Sequence, residues 1–300
     1  MKFLFLLFSV IVMNLFIGCN SNPQTDLIKT DSLHVELDTI RGVYHIKTGI
    51  PEMKYSILTI NDTIRKHFRK ERTKAQLEKI AALNRIDGNK LLNLDSIVVM
   101  DSLNEDWLTY SPFPDSIPLL SEINKIIFIS YQIQAFSFYI RGKLVYWGPV
   151  SMGKKSTPTP IGFFHTNWKS KLQISTENPE WLLPWYFNIV NATGVSLHQY
   201  QLPGYPASHA CIRLREQDAY WIYTHADQWK LDKSGRQILF VGTPLFIYGN
   251  YAFGKARPWY ALAKDSKANF QNLDTLNRLI TPYLSTLKKE QRMKELLINQ

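Results

Sequence analysis

The feature that most constrains the fold is a run of strand-forming residues between positions 125 and 151. Residues 125–140 read KIIFISYQIQAFSFYI, in which Ile, Phe and Tyr partly alternate with polar residues. Such β-branched and aromatic residues favour strands. The turn sequence RGK separates this run from LVYWGPVS at 144–151. The pattern predicts a long hairpin in a β-rich domain.

More strands and a helix follow along the chain. Further short strands are predicted at residues 163–166, 238–241 and 245–248. The last two flank the turn sequence GTP and are expected to pair as a second hairpin. Residues 216–225 predict a helix, since Ala219, Trp221 and Ile222 are available to pack on one side. We therefore expect a mainly β fold of the α+β class, with mostly antiparallel strands.

Composition divides the chain into regions. The three prolines of SPFPDSIP, at 111–118, predict a boundary. Before it, residues 41–110 are expected to form a small N-terminal α/β region. After it, residues 120–250 are expected to form the main domain, and residues 251–300 a tail with leucines at helical spacing.

The N-terminal region has one recognisable pattern. The sequence KAQLEKIAALNRI predicts a helix, and residues 97–99 predict a short strand after it. This order resembles the second half of a LysM peptidoglycan-binding repeat, whereas the first half is not recognisable. An unrelated small helical cap is the alternative, so glycan binding by this region stays open.

The chain begins like an exported protein. Lys2 precedes an apolar run at 3–17, which is short for a membrane span of about 20 residues but suits a signal peptide. Gly18-Cys19 then resembles a bacterial lipobox. The resemblance implies that residues 1–18 are removed, that Cys19 carries lipid, and that residues 19–40 tether a periplasm-facing body to a membrane. An ordinary signal peptide and an uncleaved anchor are the alternatives.

Charge narrows the possible partners. The 300-residue chain is 45% hydrophobic, enough for a substantial core, and has a formal net charge of +10. Lys and Arg are spread without a run of five or more, and no nucleic-acid-binding motif is present. We expect a solvated basic surface and no nucleic-acid partner, and protein partners stay unknown.

The second cysteine, Cys211, is the clearest chemical feature. Cys19 and Cys211 are the two cysteines of the chain. If Cys19 is lipidated on sulfur, Cys211 is the one free thiol of an exported protein. In an oxidising compartment such a thiol is a liability unless it is buried or used.

The residues around Cys211 could supply a nucleophilic site. A hairpin-like return from GVSLHQY at 194–200 would bring His198 beside the thiol as its general base. Arg213, two residues past the cysteine, would favour the thiolate and hold a substrate carboxylate. The N–H groups of Ala210 and Cys211 could bind an oxyanion, and Ser208 could orient a histidine.

Three other readings of Cys211 compete with this one. It could be a buried structural cysteine, since free cysteine is among the most buried residue types. A zinc site with His198 and His209 would lack the usual four ligands at familiar spacings. A papain-like site would need its histidine far downstream, whereas His198 precedes Cys211.

The motif GVSLHQY…PGYPASHACIRL resembles the signature of the L,D-transpeptidase catalytic domain family. In that signature a histidine and a variable loop precede Ser/Thr-His-Gly-Cys, a hydrophobic residue and Arg or Asn. The resemblance extends to the strands and the TPTPIGFF segment upstream and to GTPLFIYG downstream, covering about residues 123–250. It implies a β-sandwich-like mixed-sheet domain.

The resemblance also implies an activity that needs no cofactor or metal. Cys211 would attack the L-centre carbonyl of diaminopimelate in a peptidoglycan tetrapeptide stem and expel D-alanine, with His198 moving the proton. His209, Ala210 and Cys211 would line the oxyanion pocket. A neighbouring diaminopimelate amine would then form a 3→3 cross-link, or another amine would accept the acyl group. An L,D-carboxypeptidase or other peptide hydrolase, and a catalytically weak peptidoglycan-binding lipoprotein, are the alternatives.

This sequence departs from the family pattern in two places. Ala210 stands where the family has glycine, which would be costly if the turn requires a positive φ. Gln199 follows His198 where many members carry Ser or Gly, so a backbone carbonyl is the candidate partner of the histidine. For substrate contacts we single out the loop and insert residues Gly204, Tyr205, Trp185 and Tyr186. The two insert aromatics would form a lid, or simply fill the core.

Overall fold

The computed structural model describes residues 53–103 and 106–298. The predicted signal peptide, Cys19 and the tether lie outside these residues. Within the described ranges, no helix is both long and apolar enough to cross a lipid bilayer.

The described part of the N-terminal region, from residue 53 to 103, forms a two-stranded sheet with two α-helices between its strands. Its elements are β1 (Tyr55–Thr59), α1 (Asp62–Glu71), α2 (Lys74–Leu83) and β2 (Ser96–Met100). The strands β1 and β2 pair antiparallel. Thr73 starts α2 with a reciprocal capping box to Gln76, which satisfies two otherwise free backbone donors. The predicted helix and strand are confirmed, and β1 and α1 occupy the part that the sequence left unassigned.

A nine-stranded mixed sheet forms the main body. Its strands are β3 (Lys125–Ser130), β4 (Ala135–Ile140), β5 (Lys143–Ser151), β6 (Gly162–His165), β7 (Lys169–Ile174), β8 (Leu182–Val190), β9 (Val195–Gln199), β10 (Ile212–Leu214) and β13 (Pro244–Tyr248). Their order across the sheet is β6-β13-β3-β4-β5-β10-β9-β8-β7. Strand β5 joins the two halves, because it pairs with β4 and, at its end, with β10. The expected mixed-sheet α+β class is confirmed.

Two predicted hairpins differ from the structure. Residues 125–140 form two strands rather than one, because the chain turns back before Ala135 through Gln134, whose φ is +49°. The predicted pairing across the GTP turn is also wrong. Strand β12 (Ile238–Phe240) pairs with β11 (Lys230–Leu231), while β13 inserts between β3 and β6.

The predicted helix α3 (Glu216–His225) is confirmed and lies against β8 and β9. Just before it, Arg215 donates to both carboxylate oxygens of the fully buried Asp218, at 2.6 and 2.9 Å. The Tyr146 hydroxyl of β5 donates to the same carboxylate at 2.8 Å. This buried network ties the start of α3 to β5, and so fixes the short strand β10 that precedes it.

The C-terminal tail is helical and docked on the sheet. It contains α4 (Leu273–Ile280) and α5 (Leu284–Ile298), which bury Leu276, Ile280 and Leu287. Glu290 lies 2.9 Å from His165 of β6, and Lys294 forms an ion pair with Asp227. The expected helical spacing is confirmed, with a short 3₁₀ turn at Thr281–Tyr283 between the helices.

Candidate active site

The site is built on the parallel pair β9 and β10. His198 lies opposite Arg213 in the register, and Leu197 opposite Ile212. The predicted hairpin-like return is therefore wrong, since a hairpin would make the strands antiparallel. Residues two apart on a strand share a face, so Cys211 and Arg213 lie on the same face as Ser196 and His198.

The loop between β9 and β10 is held to the end of β5. The N–H groups of Ala207 and Ser208 both donate to the carbonyl of Met152, at 2.9 and 3.0 Å. Gly204 has a φ of +85°, a conformation that glycine adopts without steric cost. The Ser151 hydroxyl donates to the carbonyl of Tyr205 at 2.8 Å. Gly204 and Tyr205 thus shape the loop, and neither lines the pocket at the thiol.

The turn immediately before the thiol is tight. Ser208 is buried, and its hydroxyl donates to the carbonyl of Cys211 rather than to a histidine. Ala210 has a φ of +78°. An L-residue with a left-handed backbone conformation costs about 1–2 kcal/mol. The alanine at the family's glycine position therefore strains the backbone of this turn.

The Cys211 thiol is partly exposed. It contacts one group of β9 and one group of the turn that precedes β9. Its Sγ lies 3.4 Å from the Ser196 hydroxyl and 3.9 Å from the carbonyl oxygen of Gly194. The sequence interpretation omitted Ser196. Its position two residues before His198 on a strand was the available signal, because that spacing places both on one face.

His198 is buried and neutral. Its Nδ1 lies 2.9 Å from the carbonyl oxygen of Gln199, and a carbonyl can only accept, so Nδ1 carries the proton. Burial, with the nearby Arg213 adding to it, lowers the pKa of the imidazole to about 4. The Nε2 atom is therefore an unprotonated acceptor at neutral pH, the form that a general base requires.

Arg213 supplies positive charge at the same face. Its guanidinium carbon lies 4.6 Å from the centroid of the Tyr200 ring, a cation–π contact. Burial lowers the pKa of this guanidinium, against the opposing influence of Tyr200 and Cys211. An arginine remains charged at neutral pH even so, so the pocket can hold a carboxylate.

A small pocket gathers these groups. Cys211, His198 and Arg213 line it together with the predicted Ser208 and His209. The other lining residues are Ser175, Glu177, Trp181, Leu183 and Tyr200. The sequence analysis assigned none of these five residues to the site.

One wall of the pocket comes from the β7–β8 hairpin, and Lys154 contacts the lining residue His209. The rings of Trp181 and His209 lie 5.2 Å apart between centroids. Lys154 Nζ lies 2.9 Å from His209 Nε2. These contacts join segments far apart in the chain, which sequence proximity could not reveal.

The two lid candidates lie elsewhere. Trp185 packs edge-on against Tyr220 and Tyr223 of α3. Tyr186 is buried, and its hydroxyl donates to the carbonyl of Gly194 at 3.1 Å. Neither residue lines the pocket. No cluster of three or more His, Cys, Asp or Glu that could hold a metal occurs within residues 53–103 and 106–298.

Residues 124–247 match the family model described as the L,D-transpeptidase catalytic domain. Among solved structures, an L,D-transpeptidase from Stackebrandtia nassauensis is 22% identical, with a TM-score of 0.35, over 43% of this chain and 57% of that one. L,D-transpeptidase 1 of Mycobacterium tuberculosis is 23% identical, with a TM-score of 0.33, over 42% and 63%. The catalytic domain of the E. faecium enzyme is 18% identical, with a TM-score of 0.29, over 41% and 96%.

The match spans less than two thirds of the first of these structures. No curated protein sequence is significantly similar to the chain.

Proposed function

We propose that this chain, whose residues 124–247 match the L,D-transpeptidase catalytic domain family, is a cysteine-dependent L,D-transpeptidase acting on peptidoglycan tetrapeptide stems. The observation that carries the proposal is that Cys211 lines one pocket with a neutral His198, which lies on the neighbouring strand. Both side chains line one pocket, and the Nδ1–H of His198 is held by the Gln199 carbonyl. A thiol nucleophile needs a base held in one orientation by a third group, and the Gln199 carbonyl holds the ring of His198 in this way.

In the first half of the reaction, Nε2 of His198 takes the thiol proton as Sγ of Cys211 attacks the stem-peptide carbonyl. A carbon–sulfur bond forms, and the bond to the D-alanine nitrogen breaks. The leaving amine takes the proton back from Nε2. In the second half an acceptor amine attacks the thioester, its proton passes through Nε2 to the thiolate, and the carbon–sulfur bond breaks.

The surrounding groups have separate tasks in this scheme. The N–H groups of His209, Ala210 and Cys211 would stabilise the oxyanion. Arg213 would hold a stem-peptide carboxylate. Burial lowers the pKa of His198 to about 4, which keeps the imidazole unprotonated at rest and leaves Nε2 able to accept the thiol proton.

One observation favours a second candidate, a catalytically weak peptidoglycan-binding protein. The positive φ of Ala210 places a methyl group in the turn that would form the oxyanion pocket. Water as acceptor would instead make the same site an L,D-carboxypeptidase. We further propose that Cys19 is lipidated and that the enzyme faces the periplasm. The support is the sequence alone, with its Gly18-Cys19 lipobox pattern.

Product analysis separates these functions. Purified full chain would be incubated with tetrapeptide muropeptides, and the product masses compared with those from Cys211→Ala. A 3→3 dimer that the variant cannot form supports transpeptidation, and tripeptide alone supports the hydrolase. If neither product forms, Ala210→Gly is the next variant. Recovered activity would identify the methyl group as the block, and continued inactivity would support the binding protein.

A further inference from the structure

A second cavity lies apart from the cysteine pocket and shares no lining residue with it. Its volume is about 500 Å³, within the range of about 300–1,000 Å³ typical of small-molecule sites. Residues of the N-terminal region, of segment 109–112 and of segment 262–270 line it. Its apolar wall contains Met53, Leu83, Leu262 and Phe270.

A buried cation contributes to this cavity. Arg85 is 1% exposed and donates from Nε to the carbonyl of Ile133 and from Nη1 to those of Ala82 and Leu83. Burial lowers its pKa to about 9, so it stays charged at neutral pH. Within residues 53–103 and 106–298, no carboxylate forms an ion pair with it. Three carbonyl dipoles and the rings of Trp147 and Trp259 stabilise this charge without neutralising it, and an anion in the cavity would stabilise it further.

The other polar groups of the wall are also suited to an anionic ligand. Asn269 is 5% exposed, and its Nδ2 has no hydrogen-bond partner. Lys267 adds a second cation, and Thr109 and Ser111 add hydroxyl groups. None of the described lining residues is acidic. A buried donor without a partner is uncommon in folded proteins and is explained when a ligand supplies the acceptor.

We propose that this cavity binds a small amphipathic carboxylate of the N-acylated amino acid or short-peptide class. The carboxylate lies near Arg85 and Lys267 and compensates their charge. The ligand's amide pairs with Asn269 and the neighbouring hydroxyl groups. An aliphatic side chain covers the apolar wall. The site is independent of the cysteine chemistry, since the two pockets are separate.

A calorimetric titration of the purified full chain with N-acetyl-L-leucine tests the proposal. The neutral N-acetyl-L-leucinamide is the matched probe, and we expect it to bind about tenfold more weakly, since it lacks the charge-assisted contacts. Asn269→Ala and Lys267→Ala should each weaken N-acetyl-L-leucine about fivefold or more. Lys264→Ala removes an exposed lysine outside the cavity and should leave the affinity unchanged.

Arg213→Ala distinguishes this cavity from the cysteine pocket, which also offers a cation. The proposal requires that N-acetyl-L-leucine still binds to this variant. It is overturned if binding disappears with Arg213→Ala and survives Asn269→Ala and Lys267→Ala. Equal affinity for the acid and the amide, or no saturable binding, would overturn it as well. Lys267 is exposed, so Lys267→Ala keeps the test valid if Asn269→Ala unfolds the chain.

Discussion

His198 and Arg85 are both deeply buried nitrogen bases, and burial lowers the pKa of each. The pKa of the His198 imidazole falls to about 4, and the pKa of the Arg85 guanidinium falls to about 9. At neutral pH the same physical effect therefore leaves His198 neutral and Arg85 charged. Burial of a histidine produces a base, whereas burial of an arginine produces a cation that requires acceptors.

The partners of the two residues reflect this difference. The Nδ1–H group of His198 donates to the Gln199 carbonyl. Because a neutral imidazole carries one proton, Nε2 remains an acceptor. Arg85 has no acceptor atom and places its donors against three backbone carbonyls. One site is arranged to receive a proton, and the other to hold a charge.

The largest expected effect concerns the proton acceptor. His198→Gln should lower turnover of tetrapeptide muropeptides about 10³-fold, because the thiol loses its base. D-Alanine release would be measured for the variant, with His67→Gln, an exposed histidine of α1, as control. Turnover within a few-fold of the unmodified chain would show that another group takes the proton.

The second effect is on stability. Arg85→Met leaves the carbonyls of Ile133, Ala82 and Leu83 without their buried donor, and each such loss costs about 1–3 kcal/mol. Relief of the buried charge offsets part of this, so we expect the free energy of unfolding to fall by about 4 kcal/mol. Urea denaturation would measure it, with the exposed Arg236→Met as control. A change as small as that of the control would mean that the three contacts contribute little.

The third effect follows from the pKa of His198. The ordinary value is 6.5 and the folded value is about 4. As the pH falls from 6.5 towards 4, the unfolded chain binds a proton that the folded chain excludes. The free energy of unfolding therefore falls over this pH range, and His198 alone accounts for a loss of about 3 kcal/mol. Denaturation of the unmodified chain and of His198→Gln at about pH 7 and about pH 4.5 would isolate the effect. Equal acid losses in both proteins would contradict it.

The smallest effect concerns backbone strain beside the nucleophile. Ala210→Gly should raise the free energy of unfolding by about 1 kcal/mol, because glycine adopts the positive φ without a steric penalty. Ala207→Gly is the matched control, since Ala207 lies in the same loop without a positive φ and should lose stability. If both substitutions destabilise equally, the strain at Ala210 is negligible.

Which residues share the pocket was more predictable than the geometry that brings them together. Cys211, His198 and Arg213 stand within sixteen residues of one another in a specific order, so sequence alone predicted that they would meet. The direction of β10 could not be predicted in the same way. It depends on pairing with the end of β5, some sixty residues earlier in the chain, and a loop without regular structure gives no sign of a parallel crossing.

Long-range contacts account for the remaining differences. Lys154 and Trp181 reach His209 from separate segments. The break between β3 and β4 has no glycine or proline to mark it, and Gln134 instead adopts a positive φ because its side chain bonds to the Tyr131 carbonyl and the Met152 N–H. The tertiary contacts of β5 thus override the local strand preference.

The most direct test of the account is the intact mass of the full chain after brief incubation with a tetrapeptide muropeptide and no added acceptor. The account predicts an adduct equal to the acyl tripeptide, located on Cys211 by peptide mapping, with release of D-alanine and with no adduct on Cys211→Ala. D-Alanine release that persists in Cys211→Ala, or an adduct on another residue, would contradict the central claim that Cys211 is the nucleophile.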